Sequence, residues 1–155
     1  MPSTHLDTPR GPLVLAWHRG TPGLAEAADV LATLEAARAA GAGAPALLVL
    51  LDDPTRPPDR ATRQRYAAAI AGGEPLAAAA FVVRGAGPFG PLVRGGLRTL
   101  LALRRGERPA RVFGDLDAAC AWLGAARGLP PERICRRLES IRPVQLGRFP
   151  LADAR

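Results

Sequence analysis

Four largely apolar runs of strand length, residues 13–18, 46–51, 77–83 and 110–113, are separated by segments whose apolar residues recur at helical spacing. In the first such segment Leu24, Ala27, Leu31 and Leu34 share a face, Thr21-Pro22 offers a capping hydroxyl followed by a proline suited to the first turn, and Gly41 ends the pattern. Run 46–51 carries no polar residue, which suits a strand covered on both faces, so it is expected at the centre of the sheet. A second helix is predicted over 59–71, with Tyr66, Ala69 and Ile70 inward and Arg60, Arg63 and Gln64 outward. Gly72-Gly73 leads into the third run, and a third helix over 91–103 is predicted to turn Leu92, Val93, Gly96, Leu97 and Leu100 inward. Beyond Arg108-Pro109 and the fourth run, Asp115 is placed to cap a helix with Leu116, Ala119, Cys120 and Leu123 on one face. A last short helix over 131–141 keeps Ile134, Leu138 and Ile141 in register. Alternation of this kind implies an α/β fold, a single sheet of four to five strands with helices packed against it.

A chain of 155 residues suits one domain with an ordinary core. The pattern divides it into an N-terminal segment or edge strand (1–11), the α/β domain (12–128), and a short helix with a tail (129–155). No apolar run approaches the roughly 20 residues needed to span a bilayer. The opening Met1-Pro2-Ser3-Thr4-His5-Leu6-Asp7 lacks the order of a signal peptide, so a cytoplasmic location is expected. Cys120 and Cys135 form neither a CxxC pair nor a disulfide framework; reduced thiols, with Cys120 in the core, are expected.

The net charge of +7 changes this picture only through its distribution. The chain has no lysine and no asparagine and is rich in Ala, Arg, Gly and Pro, a bias that inflates arginine whatever the function and argues against a nucleic-acid partner. Residues 1–60 hold five Arg against seven Asp/Glu, whereas residues 61–155 hold sixteen against seven. A basic face in the second part is expected. Arg94, Arg98 and Arg105 fall at spacings that put them on one side of the third helix, with Arg84 just before it. Such a stripe is either a solvated face or a docking surface for an acidic partner. Gly95-Gly96 costs about 1 kcal/mol per glycine relative to alanine in a helix interior, and close packing on the sheet is the expected reason.

Gly85-Ala86-Gly87-Pro88-Phe89-Gly90 matches G-x-G-x-x-G between a strand and a helix, the setting of a dinucleotide fingerprint. Pro88 removes an amide from the turn that would cradle a pyrophosphate, and the motif follows the third strand instead of the first. A tight turn is therefore the favoured reading, and no cofactor is expected. His5 and His18 have no neighbour in sequence that makes a catalytic or metal pair, and Asp52-Asp53 before Pro54 reads as a polar strand stop more readily than as a cation site.

From about residue 13 to 123 the order of elements resembles the STAS fold of anti-sigma-factor antagonists and the related Sec14-like domains. The local details that carry the likeness to an uncharacterised bacterial group are Gly85-x-Gly87 with Phe89, then Arg94, then Val112-Phe113 leading through Asp115 and Ala119 to Trp122-Leu123. The resemblance implies a non-catalytic protein-interaction module, in some members regulated by phosphorylation of a hydroxyl at the start of the second helix. Here that segment is Asp52-Asp53-Pro54-Thr55-Arg56-Pro57-Pro58-Asp59, without the usual serine, so Thr55 is the one candidate phosphorylation site. The family's first edge strand would have to come from residues 3–10.

A regulatory or scaffold module is thus expected, binding a protein partner with an acidic surface through Arg84, Gly85, Gly87, Phe89, Arg94, Arg98 and Arg105. The alternative is a small-ligand binder, for a nucleotide phosphate or an apolar Sec14-type ligand, at turn 85–90. No acid, base or nucleophile set points to an enzyme, and no feature of the sequence sets an oligomeric state.

Overall fold

Three consecutive strand, helix, strand units, each stepping one position across the sheet in the same direction, set the layering of the molecule. The computed structural model describes residues 3–41, 43–71, 76–102 and 109–143. Its elements are β1 (Ser3–Leu6), β2 (Leu13–Arg19), α1 (Leu24–Ala40), β3 (Ala46–Asp52), α2 (Arg60–Ala71), β4 (Ala78–Arg84), α3 (Phe89–Ala102), β5 (Ala110–Phe113), α4 (Leu116–Arg127) and α5 (Pro131–Glu139). They form an α/β fold with one five-stranded sheet in the order β1-β2-β3-β4-β5, in which β1 is antiparallel to β2 and the other pairs are parallel. Crossovers between parallel strands are right-handed, so three steps in one direction bring α1, α2 and α3 to the same face. The opposite face would stay bare. α4 and α5, which follow the last strand, fold back over it.

Two buried clusters record the two faces. Leu13, Leu15 and Trp17 of β2, with Leu48 and Leu50 of β3, meet Ala119, Cys120 and Leu123 of α4 and Ile134 and Leu138 of α5. The alternate residues Val14, Ala16, Leu47, Val49, Leu51, Phe81 and Val83 meet Val30, Leu34 and Ala37 of α1 and Val93 of α3. Each fully buried Val, Leu or Phe contributes about 1.5–3 kcal/mol, which is why β3, apolar on both faces, occupies the centre as its sequence predicts. Ala78 and Ala80 of β4 add little bulk to the first face, which leaves room for α4 to cross there.

Several details differ from the periodicity. α1 begins at Leu24 behind Gly23, whose N–H donates to Glu26 Oε2 at 3.0 Å, and Thr21 is not its cap. The Thr21 hydroxyl donates instead to the Arg56 carbonyl at 2.6 Å, pinning the loop after β3. The buried face of α1 is Ala27, Val30, Leu34 and Ala37, while Leu24 is 51% exposed. α3 sits over the sheet margin at β4 and β5, and among its described apolar and glycine positions the covered stripe is Gly90, Val93 and Leu97; Leu92, 59% exposed, and Gly96 point outward, contrary to expectation. β1 forms from residues with little strand propensity because the open edge of β2 pairs with them, Ser3 opposite Ala16 and Leu6 opposite Leu13. Asp115 and Asp59 cap α4 and α2, accepting from the N–H groups of Ala118 at 3.0 Å and Thr62 at 2.7 Å. The side chains of Ala69, Ile70 and Leu100, together with Gly72, Gly73, Arg104, Arg105, Arg108 and the tail after Pro143, lie outside the described residues.

Candidate functional site

All three central parallel strands stop on a residue of positive φ or just before one: Gly20 (+78°) after β2, Asp53 (+51°) after β3 and Gly85 (+140°) after β4. The ladder runs one bond past the strands, with Gly20 N–H donating to Asp52 O at 2.7 Å and Asp53 N–H to Arg84 O at 2.8 Å. The chain then turns abruptly at one level. This carboxyl edge is where open α/β sheets place ligands.

Parallel register sets Arg19, Asp52 and Arg84 side by side across the edge. Arg84 grips Asp52 with two bonds, Nε to Oδ1 at 3.0 Å and Nη2 to Oδ2 at 3.1 Å. Those hydrogen bonds hold the Asp52 carboxyl below its usual range, against the opposing effect of burial. A depressed carboxylate pKa stabilises the fold above the ordinary carboxylate value, and that contribution is lost as pH falls through the lowered one. The Arg84 guanidinium also lies 5.2 Å from the ring centre of Trp17, and that of Arg142, after α5, lies 5.6 Å from the same ring. Both Asp52 and Arg84 are therefore engaged with each other, and Arg84 is a clamp instead of an open contact for a partner.

His18, on the other face of β2, is buried and its Nε2 shares a 2.9 Å hydrogen bond with the Tyr66 hydroxyl of α2. Burial lowers its pKa, opposed by Glu26 and Asp29, so the imidazole is neutral at physiological pH. Burial likewise pushes the Tyr66 phenol up. The pair satisfies two polar groups inside the core and leaves neither set up as an acid or base. Beside it, a hollow of about 370 Å³ is lined by Trp17, His18, Arg19, Thr21, Glu26 and Asp29 among others, on the α1 side of the edge and away from turn 85–90. Among the described residues no group of three or more His, Cys, Asp or Glu is placed to hold a metal ion.

The glycine turn separates into two unlike positions. Gly85 is pressed against Asp53, where a Cβ would stand 2.9 Å from the Asp53 Cα, whereas a Cβ on Gly87 would meet nothing within 4 Å. Phe89 opens α3 at 38% exposure. Arg94 does not project with Arg98: its Nη1 donates to the Val83 carbonyl at 3.0 Å, tying α3 to the end of β4, while Arg98 is exposed. Arg105 lies outside the described residues. Thr55 is exposed in the loop after β3, with its hydroxyl 3.5 Å from that of Thr21. Gly95 and Gly96 have open space on their outer side, so packing on the sheet is not their reason. The predicted basic set is thus split between clamps and an exposed helix face, and the expected stripe of Arg94 with Arg98 is corrected accordingly.

This division makes a direct prediction. Arg94→Ala should destabilise the protein by about 1–2 kcal/mol, since it strips a charged donor from a strand-end carbonyl, whereas Arg98→Ala should stay within about 0.5 kcal/mol. Urea midpoints of the two variants decide it, and a larger loss for Arg98→Ala would overturn the assignment.

Asp52 with Arg84, His18 with Tyr66, and the platform role of Trp17 escaped the sequence reading. Only the first left a usable signal, an acid and a base that each directly follow an apolar run, 46–51 and 77–83, on neighbouring parallel strands. No protein-family model, curated protein or solved structure matches this chain, and no helix among the described residues is long and apolar enough to cross a membrane.

Proposed function

We propose that the chain is a non-enzymatic interaction module that docks an acidic protein segment on the outward face of α3. One observation carries this reading: Leu92 is 59% exposed beside a double glycine, Gly95-Gly96, whose outer side is open. Helix geometry places Leu92, Gly95 and Thr99 on the side away from Val93 and Leu97, with Gly96 and Phe89 on one rim and Arg98 on the other. Two glycines inside an exposed helix cost about 2 kcal/mol together relative to alanine, and no packing within the described chain offsets that. A surface without Cβ atoms lets a partner's backbone approach closely, Leu92 and Phe89 supply apolar contact, and Arg98 supplies the charge that selects an acidic segment. This is the kind of role that the STAS-like resemblance implies.

The test compares proteins retained by the wild type, Leu92→Asp and Arg98→Glu at low and moderate salt, with circular dichroism as the folding control. Leu92→Asp should lose the specific partner at least tenfold at both salt levels, and Arg98→Glu should weaken it most at low salt. If both variants keep every partner, the face is merely solvated. A mass twice that of the monomer, abolished by Leu92→Asp, would replace the acidic partner with a second copy of the chain.

A second reading, a small-ligand binder, is favoured by the 370 Å³ hollow beside Trp17 and His18 at the carboxyl edge. It places the ligand between β2 and α1 and not at turn 85–90. Native mass spectrometry of the purified chain, showing a retained small molecule that Ala25→Trp displaces, would promote it.

A further inference from the structure

We propose that Cys120 and Cys135 form a reversible disulfide, which makes the corner between α4 and α5 a redox modification site. Both are free thiols, 15 positions apart in sequence, and their sulfurs stand 2.7 Å from each other. The corner that brings them together is held tightly. α4 ends on Gly128 at φ +70°, Leu129 N–H donates back to Gly124 O at 3.0 Å, and Pro130-Pro131 leads directly into α5. At Gly124 a Cβ would sit 2.6 Å from the Leu129 carbonyl oxygen, so the return of the chain depends on glycine there. Cys120 lies one turn before Gly124 and Cys135 one turn after Pro131, while Ile134 and Leu138 anchor α5 in the core. The two sulfurs are thus positioned by the fold, without any need for the helices to move far, and disulfide geometry is demanding enough that such positioning matters.

Access is unequal. Cys120 is fully buried and Cys135 is half-buried. Both border a surface hollow of about 310 Å³ with Asp117, Pro131, Glu132 and Arg136, large enough for a small thiol reagent. Burial, helped by the neighbouring Cys135 sulfur, also raises the Cys120 thiol pKa, so little of it is thiolate when an oxidant arrives. Cys135 is therefore the entry point and Cys120 the resolving thiol.

With a low-molecular-weight disulfide as oxidant, Cys135 gives its proton to solvent and its thiolate attacks one sulfur of the reagent. The reagent's S–S bond breaks, a mixed disulfide forms on Cys135, and the first small thiolate leaves and takes up a proton. Cys120 then loses its proton to solvent and attacks the Cys135 sulfur; the mixed disulfide breaks, and the second small thiolate leaves and is protonated. The two protein thiols are oxidised by two electrons and the reagent is reduced to two thiols. The bond would fasten α5, whose Arg137 donates to Thr4 Oγ1 at 2.7 Å and whose following Arg142 stacks on Trp17. It lies on the face opposite α3 and does not depend on partner docking.

The experiment incubates the full chain with oxidised glutathione, quenches in acid, alkylates, and reads intact mass and tryptic peptides. Wild type should lose two hydrogens, yield a 120–135 cross-linked peptide, gain roughly 5–10 °C in thermal midpoint, and revert fully with dithiothreitol. Cys120→Ala should stop at a stable glutathione adduct on Cys135, and Cys135→Ala should leave Cys120 unmodified in the folded protein. The proposal is overturned if wild type accumulates the adduct without closing the bond, if both thiols stay unreactive, or if Cys120 is modified first. Because the cross-link is read on wild type, a variant that fails to fold does not remove the test.

Discussion

Replacing Trp17 by alanine should destabilise the protein by about 3–5 kcal/mol, seen as a fall in thermal midpoint of roughly 10 °C or more. The ring is 1% exposed and belongs to the core face beneath α4 and α5. Its removal leaves a cavity among Leu15, Leu50 and their neighbours, and it also takes away the surface shared by the Arg84 and Arg142 guanidiniums at 5.2 and 5.6 Å. Two cations then lose a favourable neighbour while the Asp52 carboxylate loses part of the surroundings that keep it ionised. Trp122 offers the contrast. It is half-buried at the sheet margin, 5.7 Å from Phe113 between ring centres and 5.4 Å from the Arg111 guanidinium. Partial exposure leaves less area to lose and lets water fill the gap, so Trp122→Ala should cost about 1–3 kcal/mol. Urea unfolding of both variants with unchanged m-values gives the comparison. If Trp122→Ala proves the more damaging, the carboxyl edge is not organised around Trp17.

The strands that could be read most directly from the sequence are those decided by burial. β2, β3 and β4 are covered on both faces, and continuous apolar runs announce that whatever lies around them. β1 left no such mark because backbone pairing with β2 recruits it, through Ser3, Thr4, His5 and Leu6, without an apolar pattern. Helix faces were legible only where a helix lies fully over the sheet. α3 packs on a margin, so its periodicity contains more apolar positions than the sheet can cover, and Leu92 falls outside. The candidate site was legible as a place, the glycine turn and its neighbours, more than as a set of contacts. Asp52 and Arg84 are 32 positions apart and meet only through parallel register. Arg94 and Arg98 look equivalent in any charge pattern, yet one reaches the Val83 carbonyl and the other faces solvent. Side-chain length and the angle at which α3 crosses the margin decide that difference, and neither is written in spacing.

The turn Gly85-Ala86-Gly87-Pro88-Phe89-Gly90 should respond in opposite ways at its first two glycines. Gly85→Ala is expected to cost about 3 kcal/mol or more, and Gly87→Ala to remain within about 0.5 kcal/mol. Gly85 holds φ at +140°, a conformation that side chains rarely adopt, and its would-be Cβ lies 2.9 Å from the Asp53 Cα and 3.1 Å from the Asp53 nitrogen. Those are backbone atoms, so the strain is not relieved by turning a side chain aside. The Asp53 nitrogen is also the donor to the Arg84 carbonyl at 2.8 Å, and Asp53 is itself in the left-handed region at +51°. Pushing it away pulls apart the level at which β3 and β4 end, and with it the two bonds between Arg84 and Asp52. At Gly87 the added methyl enters open space. The pair of substitutions therefore separates a glycine needed for the fold from one that merely completes the G-x-G-x-x-G spelling. Urea midpoints of the two variants make the measurement, with Trp17 fluorescence reporting on the Arg84 clamp. Equal losses at both positions would show that the turn is constrained along its whole length, and would overturn the assignment of Gly85 as the single strained glycine of the motif.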